Sequence, residues 1–256
     1  MRLRRRQKWG IIYSGRAFVN ALLLLMGGSG ERFGGDTPKQ FLDVEYQGRK
    51  MPLFEITARK LLAALPIDIV IFVSPKNTVG SAVVNPVIER LLADFPGRRM
   101  KYAAAGMTRF ASFLSGLSAA EKFAGVERLL VHDANRPYLG REYLQRVASH
   151  LDYLSADIPA FIPVIPVVDS VVRLDGKNVI NYENRAELKR VQTPQLMHYS
   201  TFAAAYSASL GRGQMAFDFT DEGSLCLSFG LKVGTFDGDP LNIKITYRAD
   251  LQLEKL

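Results

Sequence analysis

The chemistry in this 256-residue chain is concentrated first in the run Gly27-Gly28-Ser29-Gly30-Glu31-Arg32-Phe33-Gly34-Gly35-Asp36-Thr37-Pro38-Lys39-Gln40. A glycine-rich turn exposes backbone N–H groups, and these surround phosphate oxygens well. Two familiar phosphate loops fail here on residue identity. A dinucleotide fingerprint needs a third glycine where Phe33 stands and a helix where Pro38 interrupts. A P-loop needs Gly-Lys-Ser/Thr at a fixed distance from its first glycine, and neither Gly30 nor Gly34 meets that spacing. What remains is an amide-rich turn with two cations, Arg32 and Lys39, and a proline that fixes the backbone directly before Lys39. That combination suits a triphosphate. The competing reading is a Gly-rich turn with solvated charges, which the glycines alone would satisfy.

Such a loop must be positioned by a strand before it, and Ala21 to Leu25 supplies one. Further strands are expected at Asp68 to Val73, Met100 to Ala103, Arg128 to Val131 and Ala160 to Pro166. Helical periodicity fills the intervals near Leu53 to Leu65, Val83 to Phe95, Arg109 to Phe123 and Arg141 to Leu154. Strands alternating with crossover helices predict an α/β fold, a Rossmann-like and mostly parallel sheet flanked by helices. The rhythm changes at Val168 to Leu174 and Val179 to Tyr182, two extended runs joined by Asp175-Gly176-Lys177. An Asp-Gly turn between such runs predicts an antiparallel hairpin arm, about residues 166–187. Helices near Ser200 to Ser209 and Asp221 to Phe229, a strand at Lys232 to Phe236 and a terminal helix from Arg248 complete the expectation.

Composition bounds the function. The net charge is +8, but Arg2, Arg4, Arg5, Arg6, Lys8 and Arg16 account for six of the 33 basic residues. The remaining 27 face 25 acids, so the body carries only +2 and presents no strongly basic face for nucleic acid. Residues 1–17 read as a basic, disordered extension and 18–256 as one domain. The tail and the apolar run after it mimic a secretory signal, yet the run ends in the Gly-rich loop rather than a cleavage site. No segment approaches the ~20 apolar residues of a membrane span. A single cysteine, Cys226, makes a reducing cytoplasm the default. His132, His150 and His198 show no zinc-ligand spacing, and no protein metal site is expected.

The segment Leu25 to Gln40 resembles the signature of the 2-C-methyl-D-erythritol 4-phosphate cytidylyltransferases, in which Gly-x-Gly-x-Arg and Pro-Lys-Gln follow the first strand. The likeness continues in order through Gly106-Met107-Thr108-Arg109-Phe110-Ala111-Ser112 and His132-Asp133-Ala134-Asn135-Arg136-Pro137. It extends to Asn184-Arg185, Gln192-Thr193-Pro194-Gln195, Thr220-Asp221-Glu222 and Asn242-Ile243-Lys244-Ile245-Thr246. The resemblance implies transfer of CMP from CTP to 2-C-methyl-D-erythritol 4-phosphate with release of pyrophosphate. Arg32, Lys39 and Lys244 would be the catalytic cations on the triphosphate. Gly27, Gly28, Ser29, Gly30, Gly106 and Ser112 would hold the nucleotide, and Asp133, Arg136, Ser170, Arg185 and Thr193 the sugar-alcohol phosphate. Mg²⁺ would arrive mainly on the CTP phosphates. Arg185 would reach a partner subunit's site from the hairpin arm, making the arm a homodimer device.

Departures from the family pattern include Met26 and Gly27 in place of two alanines, Asn135, Ser170 and Lys189, and a lengthened turn from Glu45 to Met51. The ribitol-5-phosphate cytidylyltransferases share most of these blocks, Asn184-Arg185-Ala186 included, and are the nearest rival; a catalytically inactive nucleotide-binding homologue is the alternative of another class. Several positions also have plainer readings. Asp133 could cap a turn, Arg136 could form a turn salt bridge, His132 could be a packed histidine, and Asp221-Glu222 could open a helix.

Overall fold

The computed structural model of the chain describes residues 18–27, 33–34, 37–75, 78–211 and 219–255. The Leu-rich run after Phe18 forms β1 (Val19–Leu25), and its side chains from Asn20 onward are buried on both faces. Alternation divides them. Leu22, Leu24 and Met26 pack with Phe54, Leu61, Leu91, Tyr143 and Leu151, whereas Ala21, Leu23 and Leu25 pack with Phe113, Leu117, Phe202 and Leu225. A continuous apolar run is what a strand covered on both sides requires. The first layer comes from α1 (Leu53–Ala64), α2 (Thr78–Asp94) and α4 (Arg141–Tyr153). The second comes from α3 (Arg109–Ala120), α5 (Tyr199–Gly211) and α6 (Glu222–Ser228).

Between the layers, β1 pairs in parallel with β4 (Ile69–Ser74) and β6 (Val126–Asp133), and β4 pairs with β5 (Arg99–Ala104). Two short strands are inverted. The short β11 (Gln195–His198) lies antiparallel between β6 and β7 (Ala160–Pro166). A three-residue strand, β10 (Lys189–Val191), continues along the same edge of β7: Gln192 N–H reaches Pro163 O and His198 N–H reaches Pro159 O. On the opposite edge, β12 (Val233–Asp237) pairs in parallel, and Gly238 N–H reaches Val164 O. The fold is therefore a mostly parallel α/β sheet flanked by helices.

Two hairpins stand outside the main sheet. One, β2 (Asp43–Tyr46) with β3 (Arg49–Pro52), was not expected from the pattern, because its charged and apolar residues read as a loop. The other, β8 (Val172–Asp175) with β9 (Asn178–Tyr182), lies where the Asp-Gly turn placed it, and Gly176 takes the positive φ of 57° that such a turn needs. The terminal helix expected from Arg248 is present as a 3-10 helix, Arg248–Lys255.

Candidate active site

The chain runs from β1 to β4 and β5 on one side, then returns to place β6 on the other side of β1. Ligands in open α/β sheets sit at such a reversal, outside the carboxyl ends of the strands. Met26 and Gly27 follow β1 there, Ala105 and Gly106 follow β5, and Asp133 ends β6. Because β11 is inverted, its start lies at that same end. Thr193, two residues before it, accepts the Asp133 backbone N–H at 3.2 Å.

Asp133 is the electrostatic centre. Lys244 Nζ lies 3.0 Å from Oδ2, Arg136 Nε 3.2 Å from the same oxygen, and Arg109 Nη2 3.7 Å from Oδ1. Burial opposes ionisation of the carboxyl, but Lys244, Arg109 and Arg136 together hold it well below the usual carboxylate range. The turn salt bridge between Arg136 and Asp133 is thus present, and Arg136 also donates from Nη1 to Asn242 O at 2.9 Å. Beneath them His132 is fully buried. Its Nε2 faces Arg136 O at 3.2 Å and its Nδ1 faces Thr193 Oγ1 at 2.9 Å. The Arg136 carbonyl can only accept, so Nε2 carries the ring proton, and Nδ1 of the neutral ring accepts the Thr193 hydroxyl proton. Burial is the largest influence on this imidazole and lowers its pKa to about 4, so it is neutral and structural.

Lys244 reaches Asp133 from a loop fastened by buried amides. Gln192 Nε2 donates to Asp239 O and Asn242 O, and Asn242 Nδ2 donates to Thr193 O at 2.8 Å. Ile245 N–H meets Asn135 O, and the Asn135 side chain answers to Ile245 O. The two neighbours Asn242 and Ile245 are buried, while the Lys244 side chain keeps 44% exposure and is free to exchange partners.

Beyond the end of β5, Ser112 Oγ accepts the Gly106 N–H at 3.1 Å and donates to Thr108 O at 2.9 Å. Thr108 caps α3 by accepting Ala111 N–H. Gly106 has no room for a side chain: a Cβ there would meet the Ala111 Cβ and lie 2.8 Å from the Ala111 carbonyl carbon. Gly27 faces Ser112, whose hydroxyl a Cβ on Gly27 would meet at 3.4 Å. Lys39 opens a 3-10 turn, Lys39–Phe41, and its neighbour Gln40 is buried and donates to Met26 O at 2.6 Å. That bond ties the lysine's turn to the end of β1. Gly28, Ser29, Gly30 and Arg32 lie outside the described residues.

The structure therefore brings Gly27, Gly106 and Ser112 together on one side and Asp133, Arg136, Thr193 and Lys244 on the other. It does not bring Ser170 and Arg185 into that cluster. Both are exposed at the hairpin, where Arg185 Nη1 donates to Val168 O at 2.6 Å. The sequence reading gives no role to Gln40, Gln192, Asn242 or Arg109 and takes Glu222 only as part of a helix start. Gln40 was within reach, since a buried amide beside an aimed lysine is a positioning device. The pairing of Arg109 with Glu222 was not, because it closes across 113 residues.

An ionised carboxylate ringed by three cations, and a fourth cation, Lys39, on a turn tied to the end of β1, can receive anions and neutralise them. Neither His132, neutral and enclosed, nor Asp133, strongly ionised, is poised to move a proton near neutral pH. The family model described as 2-C-methyl-D-erythritol 4-phosphate cytidylyltransferase matches residues 20–256. The enzyme of that name from Corynebacterium efficiens is 34% identical over 234 residues, covering 90% of each chain. That from Thermotoga neapolitana is 31% identical over 93% of this chain and 96% of its own. Among solved structures, 4-diphosphocytidyl-2C-methyl-D-erythritol synthase from Anaerococcus prevotii superposes with a TM-score of 0.70 at 26% identity, covering 92% of this chain and 93% of that one. With sequence and fold in agreement over nearly the whole length, the chain belongs to the 2-C-methyl-D-erythritol 4-phosphate cytidylyltransferase family of nucleotidyltransferases.

Proposed function

We propose that the chain transfers CMP from CTP to 2-C-methyl-D-erythritol 4-phosphate, releasing pyrophosphate. The observation that supports this most is the meeting of Lys39's turn, the Gly106–Ser112 corner and the Asp133–Arg136–Lys244 cluster at one strand reversal. A phosphate oxygen of the acceptor attacks the α-phosphorus of CTP, and the bond to the β-phosphate's bridging oxygen breaks. The nucleophile is already an anion, so no general base is needed. Bringing two polyanions together makes positioning and charge neutralisation the main tasks. Gly106 and Ser112, with Gly27, Gly28, Ser29 and Gly30, seat the nucleotide. Arg32, Lys39 and Lys244 take the triphosphate, Lys244 exchanging Asp133 for phosphate oxygens. Asp133, Arg136 and Thr193 receive the acceptor.

Mg²⁺ fits as an ion carried on the triphosphate, where it would neutralise phosphate charge. Among the described residues no group of three or more His, Cys, Asp or Glu is arranged around a common point, and Asp133 is the carboxylate that would touch it. The hairpin supports a homodimer: Leu174, Val179, Ile180 and Tyr182 are exposed on a two-stranded unit separate from the main sheet. Arg185 would then serve the partner's pocket. Among the described residues no helix is long and apolar enough to cross a membrane, and Cys226 is buried, which suits a reducing cytoplasm.

The test is kcat/KM with CTP for methylerythritol phosphate against ribitol 5-phosphate. A pocket built to bond the extra hydroxyls of ribitol rejects an analogue lacking them by up to about 10⁴, whereas one shaped around a methyl group discriminates by about 10 to 200-fold. Preference for methylerythritol phosphate is expected; preference for ribitol 5-phosphate would transfer the assignment to the rival acceptor.

A further inference from the structure

Arg109 is the third cation on Asp133, and the one the reaction outlined above leaves unused. It is the first residue of α3, directly after the Thr108 cap, and its guanidinium grips Glu222 with two hydrogen bonds of 2.5 and 2.9 Å. Glu222 is 2% exposed and is the first residue of α6, behind the Asp221 capping box. Gln195 fixes that helix start in turn: its Oε1 accepts Gly223 N–H at 2.8 Å and its Nε2 donates to Asp221 Oδ2 at 3.2 Å. A bidentate fork leaves a guanidinium almost no rotational freedom. The same Nη2 that donates to Glu222 lies 3.7 Å from Asp133 Oδ1, a charge contact rather than a hydrogen bond.

The other two cations differ in kind. Lys244 is a half-exposed point charge on Oδ2 that must leave to meet phosphate, and Arg136 shares that same oxygen. Once Lys244 moves, a buried carboxylate loses its nearest counter-charge and would turn or seek a new partner. Arg109 cannot follow Lys244, because Glu222 holds it.

We propose that Arg109, clamped by Glu222, is a positioning residue that fixes the Oδ1 edge of Asp133 while Lys244 is away, and so sets the acceptor phosphate's pocket. This rests on the cytidylyltransferase reading. Arg109 touches no reacting atom; it acts through Asp133.

Removing Arg109 alone would strand a buried Glu222, so a single variant confuses stability with placement. The decisive variant is Arg109→Met combined with Glu222→Leu, which removes both charges together; replacing a buried pair by apolar side chains is often neutral for stability. Wild type and variant are compared in thermal unfolding and in steady-state pyrophosphate release, varying CTP and methylerythritol phosphate separately. The expected result is a melting temperature near wild type, at least about a tenfold loss in kcat/KM for the acceptor, and a KM for CTP within about threefold. Wild-type acceptor kinetics in the folded double variant would overturn the proposal, since a purely structural pair would be fully replaced. Glu222→Gln decides independently, because it keeps shape and an acceptor oxygen but weakens the clamp. At least about a fivefold loss for the acceptor is expected from it, and unchanged kinetics would again overturn the proposal. A wild-type protein that releases no pyrophosphate with either alcohol phosphate would instead remove the reading beneath it.

Discussion

The burial of His132 makes the protein's stability depend on pH in a defined window. Enclosure lowers the imidazole from its ordinary 6.5 to about 4, while neighbouring Asp133 and the Arg136 carbonyl pull weakly the other way. Between those values the unfolded chain binds a proton that the folded chain refuses. Stability is therefore full above about pH 6.5 and falls as pH drops towards 4. One pKa unit corresponds to about 1.4 kcal/mol, so the window is worth about 3 kcal/mol, a large share of an ordinary domain's stability. Asp133 does not act in this window: its folded value is depressed below its ordinary 3.8, so its contribution is lost only at still lower pH. The assay is urea unfolding from pH 7 to 4 for wild type and His132→Gln, a replacement that can still donate to the Arg136 carbonyl. The wild-type curve should lose about 3 kcal/mol relative to the variant. A difference between the two that stays constant within about 0.5 kcal/mol across the window would refute the enclosed, neutral imidazole and with it the Thr193 hydrogen-bond assignment.

Three further outcomes follow from the site. Lys39→Ala or Lys244→Ala should lower kcat by about 10² or more with the fold intact, as expected for loss of one preorganised charge; near-normal turnover in either would remove that lysine from the site. Gly106→Ala must push against the first turn of α3, so the KM for CTP should rise at least about tenfold while the far-ultraviolet spectrum is unchanged; an unaltered KM would mean the corner does not seat the nucleotide. If the hairpin crosses a dimer, mixing Arg185→Ala with Lys39→Ala subunits should restore activity in the heterodimer, and a verified heterodimer without activity would return the arm to its own chain.

What was legible in the sequence follows the range of the interactions. The strands Val19–Leu25 and Ile69–Ser74 are continuous apolar runs because both faces are covered, and the glycine-rich turn and Pro38-Lys39 are local features. The strands Lys189–Val191 and Gln195–His198 were hidden for the opposite reason. They are three and four residues long, interrupted at Thr193-Pro194, and only pairing with β7 and β6 makes them strands. The hairpin Asp43–Tyr46 with Arg49–Pro52 carries too many charges to read as sheet. Asp133, Arg136 and Lys244 were found through family resemblance rather than pattern, since 108 or more residues of chain separate Lys244 from the other two. Their meeting depends on the inverted β11 and on Gln192 and Asn242 holding the Lys244 loop. No periodicity encodes that. The same holds for Glu222, which reads as a helix start and is one, yet whose carboxylate is taken by Arg109.

Phosphorus NMR of the protein with CTP, Mg²⁺ and 2-C-methyl-D-erythritol 4-phosphate follows the proposed reaction phosphate by phosphate. The CTP and monoester resonances are expected to decline together and to be replaced, one for one, by a pyrophosphate signal and the paired resonances of a cytidine diphosphate ester. Loss of CTP signal with the monoester untouched, or no change in either, would contradict it.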